Sequence, residues 1–193
     1  TIGSRRHTDF EGITREQLQQ AGSPSVAVAG RKVTKPEWIE SHLIGTRNLT
    51  SDDGDAFKIA SGGNLAICRE FFDTVGGFDE SFRQWGGEDV ELGFRVFNWG
   101  GLFIPERQAL AWHQSEDALL DPQEERSLVE QRHRLCHLIA EPSFRRSTPG
   151  RSFEVPFVTV GIDAAEQMFD DVAEQIHAVL ASRFHDLVVG LKV

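Results

Sequence analysis

The sequence predicts an α/β chain: a mixed helix–strand region followed by an incomplete βαβ unit. Two observations carry this. Short apolar runs alternate with segments bearing helix-capping signals, and a Ser, Thr, Pro, Gly and Arg-rich stretch over residues 145–154 interrupts that pattern as a linker would. Beyond it, residues 157–162, 164–182 and 186–191 read as strand, helix and strand, so the order predicts a parallel pair with a crossover helix.

The opening residues Thr1-Ile2-Gly3 read as a strand already under way, which suggests a piece cut from a longer protein. Thr14-Arg15-Glu16-Gln17 has the Thr-x-x-Gln form of a capping box and predicts a short helix ending near Gly22. Thr34-Lys35-Pro36-Glu37 predicts a second start with Thr34 as N-cap, placing Trp38, Ile39 and Leu43 on one face. The polar, acidic residues between Gly45 and Ala56 read as a loop. Ser61-Gly62-Gly63-Asn64 then leads into a short buried strand, Leu65-Ala66-Ile67. Residues 69–75 predict a helix closed by Gly76-Gly77, where a left-handed cap favours glycine. Glu88-Asp89 begins another, expected to bury Val90, Phe94 and Phe97 and to stop at Gly100-Gly101. Leu102-Phe103-Ile104 and Ala109-Leu110-Ala111-Trp112 read as two further strands, and Asp121-Pro122 opens the longest helix, running to about Glu141. In the last helix Met168, Val172, Ile176, Val179 and Leu180 fall in phase.

Bulk properties narrow the function classes. With 39% hydrophobic and 26% charged residues, the 193-residue chain sits in the globular range. Its longest apolar runs are too short to span a bilayer and no leader peptide is visible, which leaves peripheral membrane association open. The two cysteines, Cys68 and Cys136, make no disulfide framework and point to a reduced, cytoplasmic setting. Acidic residues outnumber basic ones by 30 to 20, giving a net charge of −10, which argues against a nucleic-acid partner. Arg5-Arg6 and Arg145-Arg146 read as solvated turns.

The chemistry concentrates in Trp85-Gly86-Gly87-Glu88-Asp89. Glycines without a Cβ let backbone approach a ligand closely, and two acids at a helix N-terminus are held ionised by the macrodipole. A carboxylate so placed can take a proton from an attacking hydroxyl, and Trp85 offers a flat apolar face to a sugar ring. The competing reading is plain capping by two first-turn acids beside a core tryptophan.

Four segments occur in order: Ser61-Gly62-Gly63-Asn64-Leu65-Ala66-Ile67, Gly76-Gly77-Phe78-Asp79-Glu80-Ser81-Phe82, Trp85-Gly86-Gly87-Glu88-Asp89-Val90-Glu91-Leu92-Gly93-Phe94-Arg95, and Ala111-Trp112-His113-Gln114. Together they resemble the C-terminal half of the GT-A glycosyltransferases of family 2, and within it the bacterial chondroitin and hyaluronan polymerases. Ile2-Gly3-Ser4-Arg5-Arg6-His7-Thr8-Asp9 is similar to their Ile-Gly-Pro-Arg strand and turn, and Pro156 to Val193 lies where their second transferase domain opens. The resemblance divides the chain into residues 1–144, the acceptor-binding and catalytic half of a GT-A domain; residues 145–154, a linker; and residues 155–193, the start of a second, degenerate GT-A-like domain.

The resemblance implies Asp89 as catalytic base and Glu88 as a hydrogen-bonding partner of the acceptor sugar. It makes Trp85, Gly86 and Gly87 the shape of the acceptor site, and Gly62, Gly63 and Asn64 the floor between donor and acceptor. It makes His113 a ligand of the Mn²⁺ or Mg²⁺ on the nucleotide diphosphate. The implied activity is inverting transfer of a sugar, a hexosamine, from a UDP-sugar to a saccharide acceptor in polysaccharide synthesis. The family's Asp-x-Asp metal motif is expected upstream of Thr1, and the chain is expected to need that nucleotide-binding half for activity. Asp53-Gly54-Asp55 lies in a polar loop and is not taken as that motif. Gly161-Ile162-Asp163-Ala164-Ala165 stands where the family has a Pro-x-Tyr-Asn turn, which is why the second unit reads as degenerate.

Two alternatives remain open: a non-catalytic carbohydrate-binding or scaffold module derived from such an enzyme, and a metal-dependent hydrolase built on Asp89 and His113. His133 and His137, four residues apart with Cys136 between them, have a spacing that can bind zinc. No Glu follows His133, and on an amphipathic helix both histidines read as structural.

Overall fold

In the computed structural model, β1 (Ile2–His7) and β2 (Pro105–His113) run parallel as a two-stranded sheet. The structure describes residues 1–114, 122–145, 153–182 and 186–192. They divide into two compact units, Thr1–Leu128 and Val129–Val193. The result is a mixed α/β chain with small parallel sheets.

Pairing in the first sheet begins with Ile2 opposite Pro105 and Gly3 opposite Glu106, then jumps to Ser4 opposite Leu110 and continues to His7 opposite His113. Arg107, Gln108 and Ala109 bulge out of the ladder as a result. Asn64 fills that gap: its Nδ2 donates to the carbonyls of Ser4 and Ala109, each at 2.7 Å. A Cβ on Gly3 would lie 2.2 Å from that nitrogen, so the position has room only for glycine. Of the two short strands expected here, Ala109 to Trp112 lies within β2, whereas Leu102-Phe103-Ile104 precedes it and is not a strand.

Thr14 forms the expected capping box: its side chain accepts from Gln17 N and Gln17 caps Thr14 N in return. α1 (Arg15–Ala21) ends on Gly22 at φ 71° and is followed by the single turn α2 (Pro24–Ala27). α3 (Glu37–Gly45) starts two residues later than its capping signal, with Pro36 as N-cap. Thr34 is instead bridged to His7, each amide donating to the other's carbonyl at 2.9 Å. Ile39 and Leu43 are buried as expected, whereas Trp38 is exposed. After α3 the chain takes a left-handed turn through Arg47, Asn48 and Leu49, at φ 50°, 58° and 63°.

The expected strand at Leu65 is a lone antiparallel bridge to Ile2, preceded by a 3-10 turn over Gly62–Asn64. α4 (Arg69–Thr74) closes on Gly76 and Gly77, both at positive φ. α5 (Glu88–Asn98) starts where expected but is rotated: it buries Glu91, Leu92, Gly93 and Val96, leaving Phe97 on the surface. The cause is a charge pair that hydrophobic periodicity cannot register. Arg95 Nε and Nη2 donate to Glu91 Oε1 and Oε2 at 2.6 Å each. Arg95 also donates to the carbonyls of Val75 and Gly77 at the end of α4. Gly93 brings α5 against Phe57 and Ala60, where a Cβ would sit 2.6 Å from that of Ala60.

Among the described residues the core of this unit includes two clusters. Ile2, Ile39, Leu43 and Ile59 form one; Val75, Leu92 and Val96 form the other; Leu65 and Phe103 pack against both.

α6 (Pro122–Leu138) is followed by α7 (Pro142–Arg145). In the second unit β3 (Val158–Asp163), α8 (Phe169–Leu180) and β4 (Leu187–Lys192) form the expected βαβ arrangement with parallel strands in register. α8 begins later than expected because Asp163 and Gln167 organise a turn first: Asp163 Oδ1 accepts from Ala165 N at 3.2 Å, and Gln167 N donates to Ala164 O. Arg145 is not a solvated turn residue. It is buried at 8% exposure, pairs with Asp186 and donates to the carbonyls of Cys136 and Val155. Arg146 and the expected linker beyond it lie largely outside the described residues.

Candidate functional site

The acidic segment is shaped by two consecutive glycines. Gly86 and Gly87 adopt φ 104° and 96°, values that an L side chain rarely takes, and they turn the chain into α5 with Gly87 as its N-cap. A Cβ on Gly86 would also press within 2.9 Å of Leu128 Cδ2. Ser127 Oγ donates to Trp85 O at 3.3 Å. The first turn of α5 therefore presents Glu88 and Asp89 at its amide-rich end.

Each carboxylate has defined backbone donors. Glu88 Oε2 accepts from Gly86 N at 3.1 Å. Asp89 Oδ1 accepts from Val90 N at 2.8 Å, and Oδ2 accepts from Gly62 N at 3.0 Å. That last bond joins the Gly62-Gly63 segment to the Glu88-Asp89 segment. Trp85 is 62% exposed, which excludes the core-tryptophan reading and leaves its ring open to solvent next to the two acids.

The remaining candidates are held differently. Asn64 is committed through its amide nitrogen to the sheet bulge. Gly63 lies under Arg5: an added Cβ would come within 2.5 Å of the guanidinium Nη1. His113, at the end of β2, stacks on His7 of β1 with ring centroids 4.8 Å apart. The structure thus brings Gly62 to Asp89 and Gly86 to Glu88, and sets His113 on the sheet beside His7.

Two partners in this unit escaped the sequence reading. Arg5 and Arg6 belong to a strand, not a solvated turn, and line a small recess with Lys35 and Arg107. Arg107 Nη1 is neutralised by both oxygens of Glu40, at 3.0 and 2.9 Å. Among the described residues Arg5, Arg6 and Lys35 have no acidic partner, and the Arg5 Nε is buried without an acceptor. The strand's period of two puts Arg5 and His7 on one face, a signal available in the sequence once that strand is accepted.

Asp53-Gly54-Asp55 is a self-contained turn. Asp53 Oδ1 accepts from Ser51 Oγ at 2.8 Å and from Asp55 N at 3.1 Å, and Asp55 pairs with Lys58 at 2.6 Å. The Ser51 hydroxyl and the Asp55 amide hold the Asp53 carboxyl below its usual range. For a nucleotide-bound Mn²⁺ or Mg²⁺ the fit is limited to one imidazole. Among the described residues, the group of three neighbouring His, Cys, Asp or Glu donors does not include His113.

Residues 55–105, which hold Gly62 to Asn64 and Trp85 to Asp89, match the family described as the N-terminal domain of galactosyltransferase. The chain is 34% identical over 124 residues to a chondroitin synthase of Pasteurella multocida, and 37% identical over 124 residues to a hyaluronan synthase of the same species. Each alignment covers 58% of this chain and 13% of the relative. An N-acetylgalactosaminyltransferase 6 of Drosophila melanogaster is 51% identical over 49 residues, covering 24% of the chain and 7% of the relative.

Over these segments the chain is similar to glycosyltransferases, the bacterial chondroitin and hyaluronan synthases among them. The identities to the two synthases, with the galactosyltransferase match across the acidic segment, support the resemblance drawn from Trp85-Gly86-Gly87-Glu88-Asp89 and its flanks. The chain spans about 13% of the length of these synthases, so it corresponds to a segment of them. No helix among the described residues is long and apolar enough to cross a membrane.

Proposed function

We propose that this glycosyltransferase segment provides the acceptor side of an inverting transfer, in which a hexosamine passes from a UDP-sugar to a saccharide acceptor. The observation that carries the reading is Asp89, anchored by Gly62 N and Val90 N at the N-terminus of α5, next to an exposed Trp85. In this reading the acceptor ring stacks on Trp85 and donates a hydroxyl to Glu88. Asp89 takes the proton from the attacking hydroxyl as the new glycosidic bond forms and the bond to the nucleotide diphosphate breaks. The two backbone donors hold the carboxylate so that little reorganisation is needed at the moment of transfer.

The proposal keeps residues 1–144 as the C-terminal part of a GT-A domain and residues 155–193 as the beginning of a second, degenerate one. His113 would supply an imidazole nitrogen to the Mn²⁺ or Mg²⁺ on the nucleotide, an ion that would neutralise the departing diphosphate. Arg5, Arg6 and Lys35 supply local positive charge in a chain of net charge −10, which suits an acidic, uronate-containing acceptor. Reduced cysteines fit a cytoplasmic location.

The test is product analysis of the full-length protein with UDP-hexosamine, with and without oligosaccharide acceptor. Acceptor-dependent elongation with inverted configuration is expected. Hydrolysis of the sugar nucleotide at an equal rate with and without acceptor contradicts the reading and favours a hydrolase. Acceptor binding without turnover favours a carbohydrate-binding module.

A further inference from the structure

His133, Cys136 and His137 lie on one turn of α6, and their ligand atoms are all within 4.8 Å of one another. Helical spacing explains this: positions i, i+3 and i+4 fall within roughly 100° of arc. The Cys136 Sγ is 3.7 Å from His133 Nδ1, and the two histidine rings have centroids 5.3 Å apart. We propose that these three side chains bind a transition-metal ion, zinc by preference, at a site separate from the chemistry assigned to Asp89.

The donor set decides the class of ion. One thiolate and two imidazoles match the tetrahedral nitrogen–sulfur coordination of zinc, and they discriminate against magnesium, calcium and manganese, which favour oxygen ligands. Cys136 is buried at 3% exposure, with its thiol donating to the His133 carbonyl at 2.9 Å. On binding, the thiol gives up its proton to solvent and both imidazoles bind as neutral rings. Three protein ligands leave the fourth tetrahedral position to water.

The surroundings indicate what the ion does. Val155 N donates to His137 O at 2.9 Å, Arg145 Nε donates to Cys136 O at 3.2 Å, and Phe153 packs on the His137 ring. The turn that carries the ligands is therefore the turn on which residues 145 and 153–155 are anchored. Among the described residues of this unit the buried apolar side chains are few: Leu135, Cys136, Ile139, Ile162 and Val172. Units with so little core commonly gain stability from a metal or a disulfide. The ion thus acts as a structural staple.

The experiment is titration of the chelator-treated chain with Co²⁺ as a spectroscopic probe, followed by displacement with Zn²⁺. One equivalent is expected to give thiolate-to-cobalt charge-transfer absorption that zinc abolishes, and zinc is expected to raise the melting temperature. Cys136→Ser should eliminate the charge-transfer band, while Cys68→Ser should leave it intact. His133→Ala removes an exposed side chain. It should weaken binding by at least about 100-fold, since loss of an outer-shell partner alone costs ~10–100-fold. Circular dichroism checks that each variant is folded. The proposal is overturned if no charge-transfer band develops, if it survives Cys136→Ser in a folded chain, or if His133→Ala binds cobalt as the parent does.

Discussion

The backbone amide of Gly62 donates to Asp89 Oδ2 at 3.0 Å, joining two segments that lie 27 residues apart in the sequence. The bond orients Asp89: with Val90 N on Oδ1 and Gly62 N on Oδ2, each carboxylate oxygen has a backbone donor. Gly62 has no side chain, so nothing on that residue covers the carboxylate.

Asp89→Asn retains an oxygen for Gly62 N but cannot accept the acceptor proton. In the full-length protein the rate of transfer should fall by ~10²–10⁴-fold in a chain that still folds, with a small drop in melting temperature because the new NH2 cannot accept from Val90 N. Activity within tenfold of the parent removes Asp89 from the role of base.

Gly86→Ala combines a disfavoured φ of 104° with a Cβ only 2.9 Å from Leu128 Cδ2. It should destabilise the protein by about 2 kcal/mol, the left-handed strain plus local overpacking. Gly12→Ala is the control, at φ 75° with nothing within 4 Å of the new Cβ, and should cost about 1 kcal/mol. Denaturant midpoints distinguish the two; equal losses mean that Leu128 yields freely.

Arg95→Met strands the Glu91 carboxylate, which is only 7% exposed in its side chain, and two carbonyls at the end of α4. A loss of roughly 3 kcal/mol is expected, because a partnerless buried charge is costly. Adding Glu91→Gln should recover part of that loss. If the double variant is as unstable as the sum of the singles, the pair is not coupled.

Asp163 titrates below the usual carboxylate range because Lys192 and then the Ala165 amide bond to its charged form. A folded-state pKa below the unfolded value adds stability above the unfolded value, about 3.9. That contribution disappears as pH falls through the folded value. Asp163→Asn should therefore be less stable than the parent at pH 7, with the difference closing below about pH 4. Urea melts at several pH values measure it, and a gap that persists at pH 2 contradicts the assignment.

His113→Ala should raise the Mn²⁺ concentration needed for half-maximal activity of the full-length protein. An unchanged metal titration removes His113 from the nucleotide's metal site.

Local signals read well where local chemistry decides the outcome. The Thr14 capping box, the Gly76-Gly77 closure of α4, the start of α5 at Glu88 and the second βαβ unit all follow from neighbours within a few residues. Readings failed where a distant partner outweighed a local signal. Thr34 does not cap α3 because it bridges to His7 across the chain. The apolar run at Leu65 does not become a strand, since the chain turns at Gly62–Asn64 to place Asn64 on the bulge between β1 and β2.

The sequence by itself determined the α/β class, the family resemblance, and the presence of two acids behind a glycine pair. These depend on residue identity and short-range spacing, which a linear reading preserves. Tertiary structure alone decided that Trp85 faces solvent, that Gly62 holds Asp89, that Arg5 lies over Gly63, and that α5 turns Glu91 and Arg95 inward. Each of these is a contact between segments far apart in the chain, or a choice of helix face settled by such a contact. The energy of that choice comes from burial and pairing that no single segment contains.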